Sequence, residues 1–346
     1  MAEKYVPILK WKRGEQIALE HLDDETKEKI VPLIEIPPIE YDYINERPKK
    51  TITQHILNVP SQINTHFGNR KVFLDLVNIY EEDLLQDGIH SIEYIINESS
   101  DLNLDVVPVV SSNSNDEYST ALQELIDNGK VSELCIRIEE GDFLNLNILL
   151  EDILNLYNVS SDQCHLVVDL KEITESNIPT YEITVPLLIN NLAHQNQWIS
   201  ITLASTSFPQ TLERVARNSN RMLPRIEFQL WNNINARLTR KIQFGDYCIA
   251  NPEYIDVDPR YMGMSGNIRY TIQDYYLVYK GVNAKNYGFQ QMVDMCTNLI
   301  NSQNYCGNNF SWGDRYIYDV ANRTQNTGNA ETWRRVGTNQ IGRAHV

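Results

Sequence analysis

The stretch from Tyr5 to Arg13 reads YVPILKWKR, a short apolar run that becomes charged at its carboxyl end and is followed by Gly14 and a helix-like segment. The same pattern recurs as PLIEIPP, VFLDLVN, CIRIEE and LVVDLKE, each a run of strand-forming residues with one charge set into it. Strands that alternate with helices in units of about 25 to 45 residues pair in parallel through right-handed crossovers. The repeated unit therefore predicts a parallel sheet with charged carboxyl ends.

The number of such units decides between a closed barrel and an open sheet. About eight strands can be traced, which predicts an α/β fold of the (β/α)8 TIM-like barrel type. An open doubly wound sheet is the alternative, but the chain lacks the G-x-G-x-x-G or G-x-x-x-x-G-K-[ST] turn that would hold phosphate there. Residues 224–235 fit a helix or a strand, and we favour the helix. The predicted strands are 5–13, 31–36, 71–76, 104–110, 134–138, 165–170, 199–203 and 247–251.

The domain organisation follows from where the alternation of strands and helices stops. The barrel is predicted to span residues 1–252. Residues 253–288 are rich in tyrosine and predict an inserted loop and β-hairpin that caps the mouth of the barrel. Residues 289–340 would supply the last outer helix, at 289–300, and the C-terminal segment of the same domain. The final residues, 341–346, read IGRAHV like the translation of a sequencing adapter, so we exclude His345 from the candidate functional residues.

Composition limits the classes of partner. The chain has 346 residues, 42% of them hydrophobic, and a formal net charge of -16. An acidic protein is poorly suited to broad binding of nucleic acid or anionic membranes. No apolar run approaches the roughly 18 residues of a membrane helix, and the N-terminus lacks the apolar region of a secretory signal, so we expect a cytoplasmic protein. The five cysteines, which include no C-x-x-C pair, are predicted to be buried reduced thiols rather than zinc ligands or disulfides.

Several segments together resemble one family. They are YVPILKWKRGEQ at the start, the PLIEIPP and FLDL strands, FGDY at 244–247 and WRRVGTN at 333–339. In this combination the chain resembles the Beta protein family, which is found in bacterial and phage-associated genomes. The resemblance spans nearly the whole chain and implies an association with phage or phage defence, but it carries no catalytic residues with it. Family members continue past WR-x-V-G-T-N with a histidine-containing segment, where this chain has the adapter-like residues.

A ring of charges is predicted inside the barrel. Side chains alternate along a strand, so the charged residue of each strand shares a face with apolar neighbours two positions away. One interpretation is a buried salt-bridge network that only closes the barrel. We favour a catalytic or ligand-binding ring, because barrels of this type work at the carboxyl ends of their strands. The predicted members are Lys10, Glu35, Asp75, Arg137 and Asp169, with Thr202 as a neutral member.

The ring suggests hydrolase chemistry, of the phosphodiester or phosphoryl kind, if the protein is an enzyme. Asp75, Glu35 or Asp169 would serve as the base or as a ligand of Mg²⁺, a hard ion that suits a few carboxylates and water. Lys10 and Arg137 would stabilise developing negative charge. The alternative to a metal is that these two cations already neutralise the carboxylates.

The sequence shows no nucleophile signature. It has no G-x-S-x-G, and no cysteine has a histidine placed by sequence to activate it. Cys164 and His165 are adjacent but would point to opposite sides of a strand. Because His165 begins a strand at the end opposite the proposed site, we assign it an ordinary structural role.

Cations and tyrosines near the predicted mouth suggest the kind of ligand. Guanidinium groups suit phosphate or carboxylate, and aromatic rings beside cations suit a nucleotide. We therefore expect a small anionic, nucleotide-like ligand, although each arginine would equally suit a rim salt bridge. The rivals are a non-catalytic protein- or nucleotide-binding module in phage-host conflict and a nuclease acting on single strands. The predicted ligand contacts are Lys12, Arg13, Arg225, Arg260, Arg269 and Tyr270, with Tyr261, Tyr275 and Tyr276 nearby.

Overall fold

Eight parallel strands close into a barrel in the computed structural model, which describes residues 4–79, 84–254 and 263–345. The strands of the described residues, inside and outside the barrel, are β1 (Val6–Lys10), β2 (Leu33–Glu35), β3 (Tyr41–Asp42), β4 (Arg47–Pro48), β5 (Val72–Asp75), β6 (Val106–Val110), β7 (Leu134–Glu139), β8 (Cys164–Glu172), β9 (Ser200–Thr206), β10 (Ser219–Pro224), β11 (Gln243–Asp246), β12 (Ser265–Ile272) and β13 (Tyr275–Asn283). The barrel order is β1, β2, β5, β6, β7, β8, β9, β11 and back to β1. The predicted (β/α)8-type barrel is thus confirmed.

Helices follow the barrel strands and cover them. They are α1 (Arg13–Glu20), α2 (Asp24–Glu28), α3 (Ile52–Ile56), α4 (Val59–His66), α5 (Ser91–Asp101), α6 (Asp116–Asp127), α7 (Leu146–Tyr157), α8 (Ile178–Asn190), α9 (Ile226–Arg237), α10 (Ala284–Tyr287), α11 (Met292–Ile300), α12 (Trp312–Ala321) and α13 (Ala330–Ala344). The ambiguous segment after β10 is indeed a helix, α9. Among the described residues, no helix is both long enough and apolar enough to span a membrane.

Strand side chains divide between two cores, as the alternation predicts. Ile8, Phe73 and Val167 belong to a cluster inside the barrel. Their neighbours Leu9 and Leu74 belong to the larger cluster between the strands and the helices. A strand buried on both faces needs an apolar residue at nearly every position, which is why these runs read as continuous. A charged residue on the inner face is therefore the exception that requires partners.

Aspartates lie near the carboxyl ends of three barrel strands. In each case the carboxylate accepts a hydrogen bond from the backbone N–H two residues further on. The bonds are Val77 N to Asp75 (2.9 Å), Lys171 N to Asp169 (2.9 Å) and Cys248 N to Asp246 (2.8 Å). Asp75 and Asp246 end β5 and β11, whereas the bond to Asp169 coincides with a register shift within β8. The charge that recurs near the end of each run therefore ends the strand in β5 and β11 as well as being a functional candidate.

The eighth barrel strand was predicted at 247–251, and this prediction is wrong. The strand is β11, which ends at Asp246. The hydrogen bond from Cys248 ends the strand there, and Cys248 itself has a φ of 54°, in the left-handed region. Tyr247, Cys248 and Ile249 are buried in the loop that follows, so they carry the apolar signature of a strand without its pairing.

A second layer forms beside the barrel. The predicted hairpin is β12–β13, and β10 joins it to make a three-stranded antiparallel sheet. This sheet shares a separate hydrophobic cluster with α11, α12 and α13. The expected last outer helix at 289–300 corresponds to α11, which packs on the hairpin instead. It is α13 that lies against α1 and completes the outer layer, with Asn339 Nδ2 donating to Ala18 O at 3.0 Å.

Gly337 provides a test of this packing. A methyl group there would lie 2.5 Å from Ile249 Cδ1 and 2.8 Å from the backbone oxygen of Arg269. An exposed Gly→Ala change inside a helix stabilises a protein by about 1 kcal/mol. We expect Gly337→Ala instead to lower the free energy of unfolding by about 1–3 kcal/mol, as overpacking does, measured by urea denaturation. Gly141→Ala, where a Cβ meets nothing within 4 Å, is the control. Equal or greater stability of the Gly337 variant would contradict this packing.

Candidate functional site

A single guanidinium group binds three carboxylates at the carboxyl end of the barrel. We call this set the Arg137 cluster: Arg137, Glu35, Asp75, Asp169 and Tyr247, none more than 3% exposed. The contacts from Arg137 are Nη1 to Glu35 Oε1 (2.9 Å), Nη1 to Asp75 Oδ2 (2.6 Å), Nη2 to Asp169 Oδ2 (2.6 Å) and Nη2 to Tyr247 OH (2.7 Å). Tyr247 OH also donates to Asp169 Oδ2 at 2.5 Å. The cluster thus links β2, β5, β7, β8 and the residue after β11.

The structure brings together the predicted ring residues Glu35, Asp75, Arg137 and Asp169, because their strands present alternate side chains to the interior. Thr202 does not join them, which corrects the expected neutral member. Its hydroxyl donates to Gln243 Oε1 at 3.2 Å, at the amino end of β11.

Tyr247 completes the cluster instead, and the sequence analysis missed it. The available signal was the FGDY segment: Asp246 ends β11, and the next residue turns into the barrel.

The charges of the cluster are mutually stabilised. Burial opposes the charge on Arg137, but Tyr247 and the three carboxylates more than offset it and raise the pKa of Arg137. Burial also opposes ionisation of Asp169, yet Arg137 and Lys171 hold the pKa of Asp169 below its ordinary value. For Glu35 burial prevails over Arg137, so the pKa of Glu35 is raised. The carboxylates therefore differ: Asp169 is a committed anion, whereas Glu35 holds its proton to higher pH.

Glu35 also differs in its hydrogen bonding. Both oxygens of Asp75 and of Asp169 are engaged, one by Arg137 and the other by the strand-end turn. Glu35 Oε2 is buried and has no hydrogen-bond partner within the described residues. Of the three predicted carboxylates, only Glu35 therefore keeps an oxygen available to a ligand.

Lys10 lies next to Glu35 on the neighbouring strand rather than within the Arg137 cluster. It is the register partner of Glu35, and its Nζ donates to Glu253 O at 2.7 Å. Nζ also lies 3.9 Å from the centre of the Tyr254 ring. Burial lowers the pKa of Lys10 to about 8.

Tyr254 opens the tyrosine-rich segment, but it was not among the predicted contacts. Its hydroxyl oxygen is buried and, like Glu35 Oε2, has no partner among the described residues. Burial, then the charge of Glu35, raises the pKa of Tyr254. The two unpartnered atoms and the Lys10 ammonium define what we call the mouth site: Lys10, Glu35 and Tyr254.

The predicted rim cations lie in different places. Lys12 lies near the mouth site, 6.0 Å from the Tyr254 ring and 3.9 Å from Glu40. Arg13 is largely exposed and lies 3.7 Å from Glu331. Arg260 and Tyr261 lie outside the described residues.

Arg225 does not face the mouth, which corrects its expected position. It is 1% exposed, and its guanidinium group donates to Glu227 Oε1 at 3.3 Å and to Asp246 Oδ2 at 3.4 Å. This ion cluster lies on the outer side of β11, because Asp246 alternates with the inward-facing positions of that strand. Arg225 is therefore committed to joining α9 to the barrel.

The expected aromatic platform of the hairpin is not at the mouth either. Tyr270 is fully buried in the second core, donating to Asp314 Oδ1 at 2.6 Å and accepting from Cys306 N at 2.8 Å. Tyr276 is likewise buried, with its hydroxyl on Glu227. Arg269 is half-buried and donates to Ile249 O at 2.7 Å, and desolvation lowers its pKa to about 9. Tyr276 and Arg269 thus attach the hairpin to the barrel, whereas Tyr270 attaches it to the second layer.

The carboxylates that were predicted as possible ligands of Mg²⁺ bind Arg137 instead. Arg137 fills the space between Asp75 and Asp169, so their oxygens meet a guanidinium group. Within the described parts of the chain, no group of three or more His, Cys, Asp or Glu side chains is arranged to hold a metal ion.

A closed parallel barrel with a charged cluster at the carboxyl ends of its strands defines the molecule as a (β/α)8-type barrel protein. The chain belongs to the Beta protein family, whose model matches residues 5–341. The search of curated proteins found no match. The search of solved structures also found no match.

Removing the central cation tests the Arg137 cluster. Arg137→Met would leave three carboxyl groups buried without their partner, so we expect the free energy of unfolding to fall by about 3–5 kcal/mol. Arg315→Met is the control, since Arg315 is exposed and pairs with Asp319 at 3.2 Å; it should cost less than about 1 kcal/mol. Chemical denaturation measures both. A similar small loss in the two variants would show that the cluster is not stabilising.

The raised pKa of Glu35 predicts a pH dependence. Because native Glu35 binds its proton more tightly than the unfolded chain, the wild-type protein should lose stability as pH rises from the ordinary value of 4.5 towards the native pKa. Gln cannot titrate, so the stability of Glu35→Gln relative to wild type should increase across that window. Urea denaturation at several pH values measures this difference. A difference that is constant with pH, or that falls, would contradict the raised pKa.

Proposed function

We propose that the mouth site binds a small anionic ligand containing phosphate, and that Glu35 acts on it as a general acid in a hydrolase or phosphodiesterase reaction. The observation that carries the proposal is the pair of buried unpartnered atoms, Glu35 Oε2 and Tyr254 OH, beside Lys10. Buried polar groups in folded proteins nearly always have partners, so such atoms indicate a group that arrives from outside.

Protonation supports an anion as that group. The Lys10 ammonium donates hydrogen bonds at neutral pH, since its pKa is about 8. The hydroxyl of Tyr254 keeps its proton because its pKa is raised, and Glu35 keeps its own to higher pH than an ordinary glutamate. The Lys10 ammonium and the Tyr254 hydroxyl are two donors, and they favour a ligand rich in acceptor oxygens, which phosphate is.

The charged residues around the mouth site also favour an anionic ligand. Lys12 and Arg334 lie close enough to lower the pKa of Lys10, and Arg334 also lowers that of Arg269. The carboxylates beside these cations are Glu15, 3.9 Å from Arg334, and Glu40, 3.9 Å from Lys12. The local excess of cations favours an anion despite the acidic charge of the whole chain.

The arrangement suits acid catalysis more than base catalysis. A carboxyl group with a raised pKa donates its proton to a leaving-group oxygen, while a neighbouring ammonium stabilises the negative charge on phosphate. Asp75 and Asp169 have no free oxygen for either role. In this proposal Glu35 supplies the proton and Lys10 the charge.

A non-catalytic module is the second candidate, and one observation favours it. With Asp75 and Asp169 held by Arg137, the cluster offers no second carboxylate to activate water. The mouth site would then retain a nucleotide, or an anionic group of a protein, without turnover. Such sequestration fits the phage-host setting that the family resemblance implies.

Calorimetric titration with inorganic phosphate, AMP and cyclic AMP tests binding. We expect Lys10→Met to weaken the affinity for the anion that binds best by about tenfold to a hundredfold, the effect of losing a charged hydrogen bond. Tyr254→Phe should weaken it by up to about tenfold. Lys29→Met, at an exposed Lys29–Glu25 pair, is the control and should bind as wild type does. Failure of the folded protein to bind any of these anions, or equal binding by Lys10→Met, would contradict the proposal.

Hydrolysis separates the two candidates. If Glu35 is a general acid, release of nitrophenol from bis(p-nitrophenyl) phosphate should be lost in Glu35→Gln while phosphate binding persists. Recovery of unaltered ligand from the wild-type protein, with binding intact, would favour the non-catalytic module.

A further inference from the structure

We propose that Glu133, His165 and Ser200 form a nucleophilic site at the amino end of the barrel, which hydrolyses small carboxylic esters that carry negative charge. The site is independent of the mouth site, which lies at the opposite ends of the strands. His165 Nε2 lies 3.0 Å from Glu133 Oε2, and His165 Nδ1 lies 2.7 Å from Ser200 Oγ. A carboxylate, an imidazole and a hydroxyl joined in this order are the parts of a serine nucleophile with its base.

The hydrogen bonds determine which atoms carry protons. The bond from His165, with that from Lys71, lowers the pKa of Glu133 to about 2, so Glu133 is a carboxylate that can only accept. The Nε2 of His165 must therefore be protonated. Burial lowers the pKa of His165, which leaves Nδ1 unprotonated near neutral pH. Ser200 then donates its hydroxyl proton to Nδ1, the direction of transfer that activates the oxygen.

The fold holds the two reacting side chains inside the barrel. His165 and Ser200 are register partners at the beginning of β8 and β9. The imidazole lies 4.8 Å from the Phe73 ring of β5, within the barrel interior. Packing and register thus fix the orientation of both groups, as a preorganised site requires.

His165 and Ser200 also line a cavity. Its volume is about 460 Å³, which is typical of small-molecule sites. The amino-terminal face of such barrels ordinarily serves stability. His165 and Ser200 are 5% and 8% exposed, yet both border this cavity, which is large enough for a substrate.

The cavity lining indicates the substrate class. It contains four cationic side chains and two carboxylates, so its formal charge is positive in a protein of charge -16. The cations are Lys4, Lys27, Arg70 and Lys71, and the carboxylates are Glu28 and Asp105. A substrate with a carboxylate or other anionic substituent is favoured over a neutral one. Ser200, with His165 as its base, would attack an acyl carbon in such a molecule.

The reaction balances with water as the co-reactant. Ser200 Oγ bonds to the ester carbonyl carbon while its proton moves to His165 Nδ1. The bond from that carbon to the alcohol oxygen breaks, and the proton passes from His165 to the leaving oxygen. Water then attacks the acyl-serine, His165 takes and returns one proton, and the free acid leaves. Glu133 is a positioning residue, because it acts on the reaction through its hydrogen bond to His165 and is itself held by Lys71.

Covalent labelling tests the nucleophile directly. We expect a fluorophosphonate probe to modify the wild-type protein at Ser200, located by mass spectrometry of peptides. Labelling should be lost in Ser200→Ala and persist in Ser205→Ala, a buried serine of the same strand that serves as the matched control. Because the site is mapped on the wild-type chain, the test holds even if Ser200→Ala does not fold. Absence of label at Ser200 in the folded protein would overturn the proposal.

The pH profile and substrate charge separate catalysis from structure. The labelling rate should rise with pH through a pKa below the ordinary 6.5 of histidine. Glu133→Gln should lower the rate by about tenfold or more and move that midpoint to still lower pH, since Glu133 raises the pKa of His165. Mono-p-nitrophenyl succinate should be hydrolysed faster than p-nitrophenyl acetate. The assignment would be refuted if the labelling rate of the folded protein changed neither with pH nor in Glu133→Gln. Faster hydrolysis of the neutral ester would refute it as well.

Discussion

The guanidinium group of Arg137 is the constraint on which the carboxyl end of the barrel depends. Three carboxyl groups from different strands and the phenol of Tyr247, in the loop after β11, converge on it in an interior from which water is nearly excluded. Isolated buried charges are costly, and only a donor with several N–H groups in a fixed plane can serve that many acceptors at once. A lysine would provide the charge without this geometry. The barrel can carry ionised side chains inside because one arginine coordinates them.

The same constraint determines which carboxylate remains available. An aspartate near the carboxyl end of a strand is short enough to reach the backbone two residues on, so Asp75 and Asp169 each bind a backbone N–H with one oxygen and Arg137 with the other. Glu35 makes no such turn, and its second oxygen stays free beside Lys10 and Tyr254. The mouth site thus exists because Glu35, unlike the two aspartates, does not bind the backbone with its second oxygen. At the other end of the barrel, beyond the apolar layer that includes Phe73 and Val167, a second polar group forms around His165.

Much of this could be predicted from the sequence, because a strand has a period of two. A charged residue in an apolar strand lies on the same face as its neighbours two positions away. This alternation predicted that Glu35, Asp75, Arg137 and Asp169 lie together. The prediction failed where the register around the barrel matters. Thr202 has the right parity but lies nearer the amino end of its strand, beside Gln243. Arginines and tyrosines of the cap were expected at the mouth, yet Arg225 and Tyr270 join buried networks, since sequence position does not say which side of a loop packs inwards.

The sequence by itself determined the barrel class, the number of its units, the inward face of the strands that carry Glu35, Asp75, Arg137 and Asp169, and the presence of a hairpin, all of which depend on local periodicity and on turn chemistry. Tertiary structure alone decided which groups touch. The distances from Arg137 to its carboxylates, the approach of Tyr254 to Lys10 and the contact of His165 with Ser200 all join residues far apart in the chain. Those contacts depend on the stagger of eight strands closed into a barrel, a collective property that no short segment contains.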